Sequence, residues 1–216
     1  MHPRPILVIA TRNPGKTAEI RSLLHGFAVD IRDLTDFGPI PEVEEDGTTF
    51  DENAYKKSSF TARVLGLPAL ADDSGIAVEA LKGAPGVYSA RYGGEGLSDA
   101  DRCRKLLAEM QGAPCRRAVF ECVISLAVPC GPALTYEARC EGLLALAPAG
   151  DNGFGYDPVF FYPPLGKTFA QMTAEEKNRV SHRGKALNEL RAEFGKVVQW
   201  IRRHLPPDDP WNRIPV

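Results

Sequence analysis

The sequence predicts an α/β fold built on a mixed central sheet flanked by helices, and three observations carry that expectation. The short apolar run 6–10 leads through a small-polar turn into a helix-patterned segment, which opens the chain as strand, turn and helix. A second apolar run, 65–70, delivers the adjacent carboxylates Asp72 and Asp73 to Ser74 and Gly75. Two β-prone runs, 118–128 and 133–146, flank Pro129, Cys130, Gly131 and Pro132 and read as an antiparallel hairpin. At 216 residues the chain is long enough for one domain, or two tightly joined lobes, with a sizeable core.

Taken in order, residues 6–10 suit a buried strand, and Ala18, Ile20, Leu23 and Leu24 recur at helical spacing until Gly26 stops them. Residues 28–34 return as a second strand. A loop follows over 38–47, where Pro39, Pro41 and the acidic triplet Glu44, Glu45, Asp46 resist regular structure. Thr49 or Asp51 caps a helix running to about Gly66 and carrying Asn53, Lys56 and Lys57. The Asp72-Asp73 pair is expected at the end of its strand, entering a turn. Ser98 caps a helix to Met110 with Leu106, Leu107 and Met110 inside. After the hairpin come a glycine and aromatic loop at 150–158, a short apolar run at 159–162, a helical turn opened by Thr173, and one long helix over 184–204. The chain 1–216 is expected as a single functional domain, with its proline-rich tail 206–216 along the surface or a partner.

Composition excludes several classes. A net charge of −2 leaves no basic surplus for long nucleic acid. No run approaches the roughly 18 apolar residues of a membrane span. The five cysteines, at 103, 115, 122, 130 and 140, form no C-x-x-C pair, and no secretory segment is read at the start. They are expected as reduced thiols of a soluble, cytoplasmic protein rather than as disulfides or zinc ligands.

Four segments carry chemistry. Thr11, Arg12, Asn13, Pro14, Gly15 and Lys16 form a turn at a helix start, where backbone N–H groups attract anions, most naturally phosphates. The run is close to a P-loop, but Ala10 stands where that pattern has its first glycine, and Pro14 removes a donor from the middle. Asp72 and Asp73 cannot both be buried and charged without a cation nearby. Magnesium and Lys57 are the candidates, with Glu44 and Glu45 available to complete an oxygen shell; the alternative is a solvated Asp-Asp-Ser-Gly turn. Phe154, between Gly153 and Gly155 and followed by Tyr156 and Asp157, offers a face on which a purine can stack, or it simply packs on the core. His182 and Arg183 either hydrogen-bond a base edge or make a solvated helix start.

These segments, with Phe50-x-Glu52-Asn53-Ala54, Gly83-Ala84-Pro85-Gly86-Val87-Tyr88-Ser89-Ala90-Arg91-Tyr92 and the continuation to Lys185-Ala186, resemble in order the signatures of the inosine/xanthosine triphosphate pyrophosphatase family. The resemblance runs from about residue 6 to 190 and rules against the P-loop. It implies an elongated mixed sheet in two lobes with the nucleotide in the cleft between them, a homodimer, and Mg2+ as cofactor. It implies a phosphate-binding segment over Thr11 to Lys16, magnesium ligands Glu44 and Asp73, general base Asp73, catalytic Lys57 and a substrate contact at Ser74. The base-holding positions it implies are Phe154, Gly155, Tyr156, Asp157, Lys177, His182 and Arg183. Arg12 and Pro14 are bulkier or stiffer than the family's first turn leads one to expect, and the tail after His204 is longer.

The activity implied is hydrolysis of ITP, dITP and XTP between the α and β phosphates. The rivals are a non-catalytic purine nucleotide sensor and a pyrophosphatase for modified pyrimidine triphosphates.

Overall fold

The computed structural model describes residues 4–214. Its elements in chain order are β1 (Ile6–Ile9), α1 (Pro14–Leu23), β2 (Asp30–Asp33), α2 (Phe50–Leu65), β3 (Ala69–Val78), α3 (Asp99–Glu109), β4 (Arg117–Ala127), β5 (Ala133–Leu144), β6 (Phe160–Tyr162), β7 (Lys167–Thr168), α4 (Ala174–Val180), α5 (His182–Ala192) and α6 (Phe194–Arg203). The strands form one mixed sheet in the order β2-β1-β3-β4-β5-β6-β7, the α/β class expected from the sequence. Contacts divide the chain into two compact units. The first takes residues up to 73, 123–137 and from 186 onward; the second takes 74–122 and 138–185.

In the first unit β1 runs parallel to both β2 and β3, with Leu7 opposite Ile31 and Val8 opposite Ala69. Parallel neighbours need crossovers, and α1 and α2 supply them. Leu7, Val8 and Ile9 are fully buried, as a strand covered on both faces requires. Helix α2 starts at a capping box, in which Thr49 accepts from the Glu52 amide, and stops at Gly66 with φ 66°. Its Ala62 packs into a small-residue seam with Val8, Ala10, Ala69, Ala71 and Ala127, which brings helix and sheet close together.

The second unit is built on a larger core. Leu106 and Met110 of α3 meet Ile76 and Val78 of β3, Phe120 of β4 and the aromatic pair Phe160 and Phe169. Strands β5, β6 and β7 pair antiparallel in sequence, with Leu144 opposite Phe160 and Phe161 opposite Thr168.

Three expectations are corrected, and the tail, largely at the surface, has a buried anchor in Trp211. The Asp72-Asp73 pair does not end its strand: β3 continues through Ser74 and Gly75 to Val78. The carboxylates can sit mid-strand because side chains from other elements neutralise them, and Ile76 and Val78 then carry the strand into the second core. Helix α1 begins at Pro14, two residues before Lys16, with proline at the first helical position where its missing N–H costs nothing. The final helix is two, broken at Glu193 (φ −100°, ψ 10°), and the break lets Phe194 bury and stack on Phe27 with ring centroids 3.8 Å apart. In the tail, Trp211 is 1 % exposed, and its indole N–H donates to the Ile6 carbonyl over 3.2 Å. The last two residues of that tail lie outside the described residues.

Candidate active site

The first unit gathers the charged groups. Asn13 caps α1 by accepting from the Lys16 amide at 3.0 Å, so that the side chain of Lys16 leaves the first helical turn beside β3. Its ammonium lies 3.2 Å from a carboxylate oxygen of Asp72, which is fully buried. Thr11 accepts from the Asn13 amide, and Arg12 reaches away to donate to the Ile40 carbonyl at 2.7 Å, tying this turn to the loop after β2. Pro14 stands at the helix start, and Gly15 follows it within the first turn.

Lys57, on the buried side of α2, donates to Asp73 Oδ1 at 2.8 Å and to Glu45 Oε2 at 3.2 Å. The other oxygen of Asp73 accepts from the side-chain amide of Asn53 at 3.3 Å. Burial pushes the Asp73 carboxyl above the usual carboxylate range, against the pull of Lys57 and Lys16. Burial alone would lower Lys57, yet Asp73, Glu45 and Asp72 outweigh it and hold the ammonium above its ordinary value. The lysine therefore stays charged. Asp73 is a buried carboxylate whose proton affinity stands above the ordinary value.

Glu44, expected as a metal ligand, is exposed, and its charge acts on Lys56; its neighbour Glu45 is the one drawn to Lys57 beside Asp73. Among the described residues no three His, Cys, Asp or Glu side chains converge to hold an ion unaided. Magnesium does not need that: it characteristically takes one or two carboxylates and completes its shell with water and substrate phosphate. A buried, desolvated Asp73 with a second carboxylate sharing its lysine fits such an ion.

The second unit gathers aromatic and hydrogen-bonding groups. Asp157 is 2 % exposed and accepts from Lys177 Nζ at 2.6 Å and from the Phe154 amide at 2.9 Å, which folds the loop around itself. Gly153 (φ 76°) permits this, because a Cβ there would stand 2.0 Å from Asp157 Oδ2. The Lys177 ammonium lies 4.8 Å and the Arg183 guanidinium 5.6 Å from the centroid of the Phe154 ring. The ring expected to receive a flat base thus has two cations over it. Arg183 also donates to the Ser74 hydroxyl at 2.7 Å. His182 is 3 % exposed and stacks on Phe120 at 4.5 Å with 9° between planes. The Tyr156 hydroxyl donates to the Ser89 carbonyl, and the Gly155 amide donates to Asp99. Ser89 lies in the 83–92 segment that carries the family resemblance, whereas nothing in the sequence around Asp99 and Phe120 marks them as part of a site.

Within each unit, then, the expected residues do assemble: Lys16, Lys57 and Asp73 in the first; Ser74, Phe154, Asp157, Lys177 and Arg183 in the second. With that geometry in place, comparison with known proteins is decisive, for the profile of the Ham1 family matches residues 7–193. This chain belongs to the Ham1 family. A relative from Syntrophobacter fumaroxidans, named dITP/XTP pyrophosphatase, is 65 % identical over 91 % of this chain and 84 % of its own. One from Desulfotalea psychrophila with the same name is 56 % identical over 95 % and 92 %. The solved HAM1 protein of Coxiella burnetii is 41 % identical, covers 89 % of this chain and 99 % of its own, and superposes with a TM-score of 0.81. The mixed seven-stranded sheet is thus a Ham1 fold.

Proposed function

We propose that this Ham1 chain is a nucleoside triphosphate pyrophosphatase that hydrolyses dITP, ITP and XTP to the monophosphate and pyrophosphate, removing non-standard purines from the nucleotide pool. The observation that carries the reading is the nearly full-length match to relatives named dITP/XTP pyrophosphatase. The buried Asp73 and Lys57 pair gives that match its chemistry.

The first unit supplies the reacting groups. Lys16 and Lys57 offset phosphate charge, and Asp73 accepts the proton of the attacking water. A Mg2+ held by Asp73 with Glu44 or Glu45 would add charge neutralisation at the phosphates and at the departing pyrophosphate. The second unit supplies base selection. Hypoxanthine and xanthine present a keto acceptor at position 6 where adenine presents an amino donor, so donors such as the Arg183 guanidinium favour the keto bases. A buried donor left without an acceptor costs about 1–3 kcal/mol, or roughly one to two decades against ATP. Lys177 and Arg183 over Phe154 make the second unit rich in donors there.

The protein works in the cytoplasm, as a homodimer. All five cysteines are free thiols, which suits a reducing compartment, and no helix among the described residues is long and apolar enough to cross a membrane. The dimer rests on the family resemblance.

Incubation with dITP, ITP, XTP, ATP, GTP and pyrimidine triphosphates plus Mg2+, with pyrophosphate and orthophosphate measured separately, tests the reading. Pyrophosphate released mainly from dITP, ITP and XTP is the expected result. Equal turnover of all substrates, preference for pyrimidines, or binding without turnover would overturn it.

A further inference from the structure

We infer that Asn53 is a positioning residue, one that locks the acidic loop before α2 to the reacting carboxylate of Asp73. The inference rests on the proposed phosphate-cleaving role of Asp73 and adds a residue outside the groups assigned to substrate or metal.

Asn53 is 1 % exposed, within the first turn of α2. Its side chain makes two hydrogen bonds in opposite senses. Oδ1 accepts from the Gly47 amide at 2.8 Å, and Nδ2 donates to Asp73 Oδ2 at 3.3 Å. The orientation of the amide is fixed by its partners, since a backbone N–H can only donate and a carboxylate can only accept. Aspartate, leucine or alanine at this position would each lose at least one of the two bonds.

The two partners are the parts whose relative placement the reaction demands. Gly47 ends the loop that carries Glu44 and Glu45, and Glu45 shares Lys57 with Asp73. Asp73 is gripped through both oxygens, Oδ1 by Lys57 and Oδ2 by Asn53, so its plane cannot rotate without breaking a buried bond. Both grips come from one helix, four residues apart, and a single helical turn therefore sets the carboxylate's orientation. Gly47 completes the device: a Cβ there would lie 2.5 Å from Asn53 Oδ1, so the close approach of loop to amide admits only glycine. Residues that hold a reacting or metal-binding carboxylate in this way typically cost about 10–100-fold in metal affinity or activity when replaced.

The test uses Asn53→Ala and Gly47→Ala in the full chain. The second variant leaves every side chain of α2 in place, so it reads the contact even if Asn53→Ala folds poorly. Three quantities are measured: kcat and KM for dITP, the melting temperature, and binding of Mn2+ alone, followed through the loss of its free-ion electron-spin signal. Both folded variants should lose about 10–100-fold in kcat, with KM changed less than about threefold and Mn2+ binding weakened by a similar factor. Retention of kcat and Mn2+ affinity within twofold, or losses that merely track the unfolded fraction, would overturn the inference. If the unaltered protein released no pyrophosphate from dITP, the functional reading would fall, while the Mn2+ comparison would still decide the role of Asn53.

Discussion

The ammonium of Lys57 lies 2.8 Å from Asp73 Oδ1, and the two residues are only 9 % and 6 % exposed. Breaking such a buried pair leaves one charge unanswered, at a cost of about 3–5 kcal/mol. Lys57→Met should therefore lower the melting temperature and abolish most turnover, because Asp73 and Glu45 lose their shared cation. Asp73→Asn keeps the shape of the side chain and removes its basicity. It should still bind dITP in an equilibrium titration yet lose about two to four decades in kcat, the worth of a positioned base. Near-normal turnover by Asp73→Asn would remove the aspartate from that role.

Arg183 is 2 % exposed, donates to Ser74 and stands over Phe154. Lysine has no planar fork and cannot hold several acceptors in a fixed plane. Arg183→Lys should reduce the ratio of kcat/KM for dITP over dATP by one to two decades, in line with about 1–3 kcal/mol for a lost buried donor. The check is competition between the two substrates in one assay; an unchanged ratio would assign selectivity elsewhere.

The opening strand, turn and helix, the two long strands β4 and β5, and the capped helices α2 and α3 were legible because their signals are local: apolar period, capping residue, terminal glycine. The course of β3 was not. Two adjacent aspartates before Ser-Gly look like a turn until Lys16, Lys57 and Asn53 are known to face them, and those residues lie on two different helices. Phe154 shows the same limit in the site. Its glycine neighbours were readable as a place for close approach, but the cations above its ring come from α4 and α5. Phe120 beneath His182 and Asp99 on the Gly155 amide are likewise contacts of tertiary structure, with no trace in local spacing.

Gly153 offers a way to disturb base handling from outside the contact residues. An alanine there is strained at φ 76° and places its Cβ against Asp157, the carboxylate that holds Lys177 and the Phe154 amide. Left-handed backbone costs a non-glycine residue about 1–2 kcal/mol. Gly153→Ala should raise KM for dITP by tenfold or more while leaving kcat within about threefold. A large fall in kcat with KM unchanged would contradict a base-binding role for this loop.

The cysteines should react in an order set by burial. Cys130 is exposed, whereas burial pushes the Cys103 thiol up to about 12 and the Cys140 thiol to about 11. At pH 8 alkylation of the folded protein should label Cys130 first and leave Cys103 and Cys140 untouched, as peptide mapping would show. The sign for stability follows. A thiol whose folded pKa is raised keeps its proton longer in the folded state than in the unfolded one, so its contribution is intact below the unfolded value of about 9 and is lost as pH climbs towards 12. The melting temperature should fall across that alkaline range, and Cys103→Ser should flatten the fall; rapid labelling of Cys103 at pH 8 would refute its burial.

Trp211 makes the tail part of the first unit's core. Its ring is 1 % exposed, its N–H bonds to the Ile6 carbonyl at the start of β1, and Arg202 of α6 donates to its carbonyl at 2.9 Å. Truncating a buried tryptophan to alanine costs about 3–5 kcal/mol. At roughly 2–4 °C per kcal/mol for a chain of this size, Trp211→Ala should lower the melting temperature by about 6–20 °C. Trp211→Phe keeps most of the packing and gives up the hydrogen bond to Ile6, so its loss should be near 1 kcal/mol. Because the hydrogen bonds of Trp211 run to Ile6, Arg202 and Asp209, none of them a residue assigned to substrate or metal, both variants should retain KM for dITP at 25 °C. Scanning calorimetry and the pyrophosphate assay together separate the outcomes, and a melting temperature unchanged in Trp211→Ala would show that the tail is dispensable to the fold.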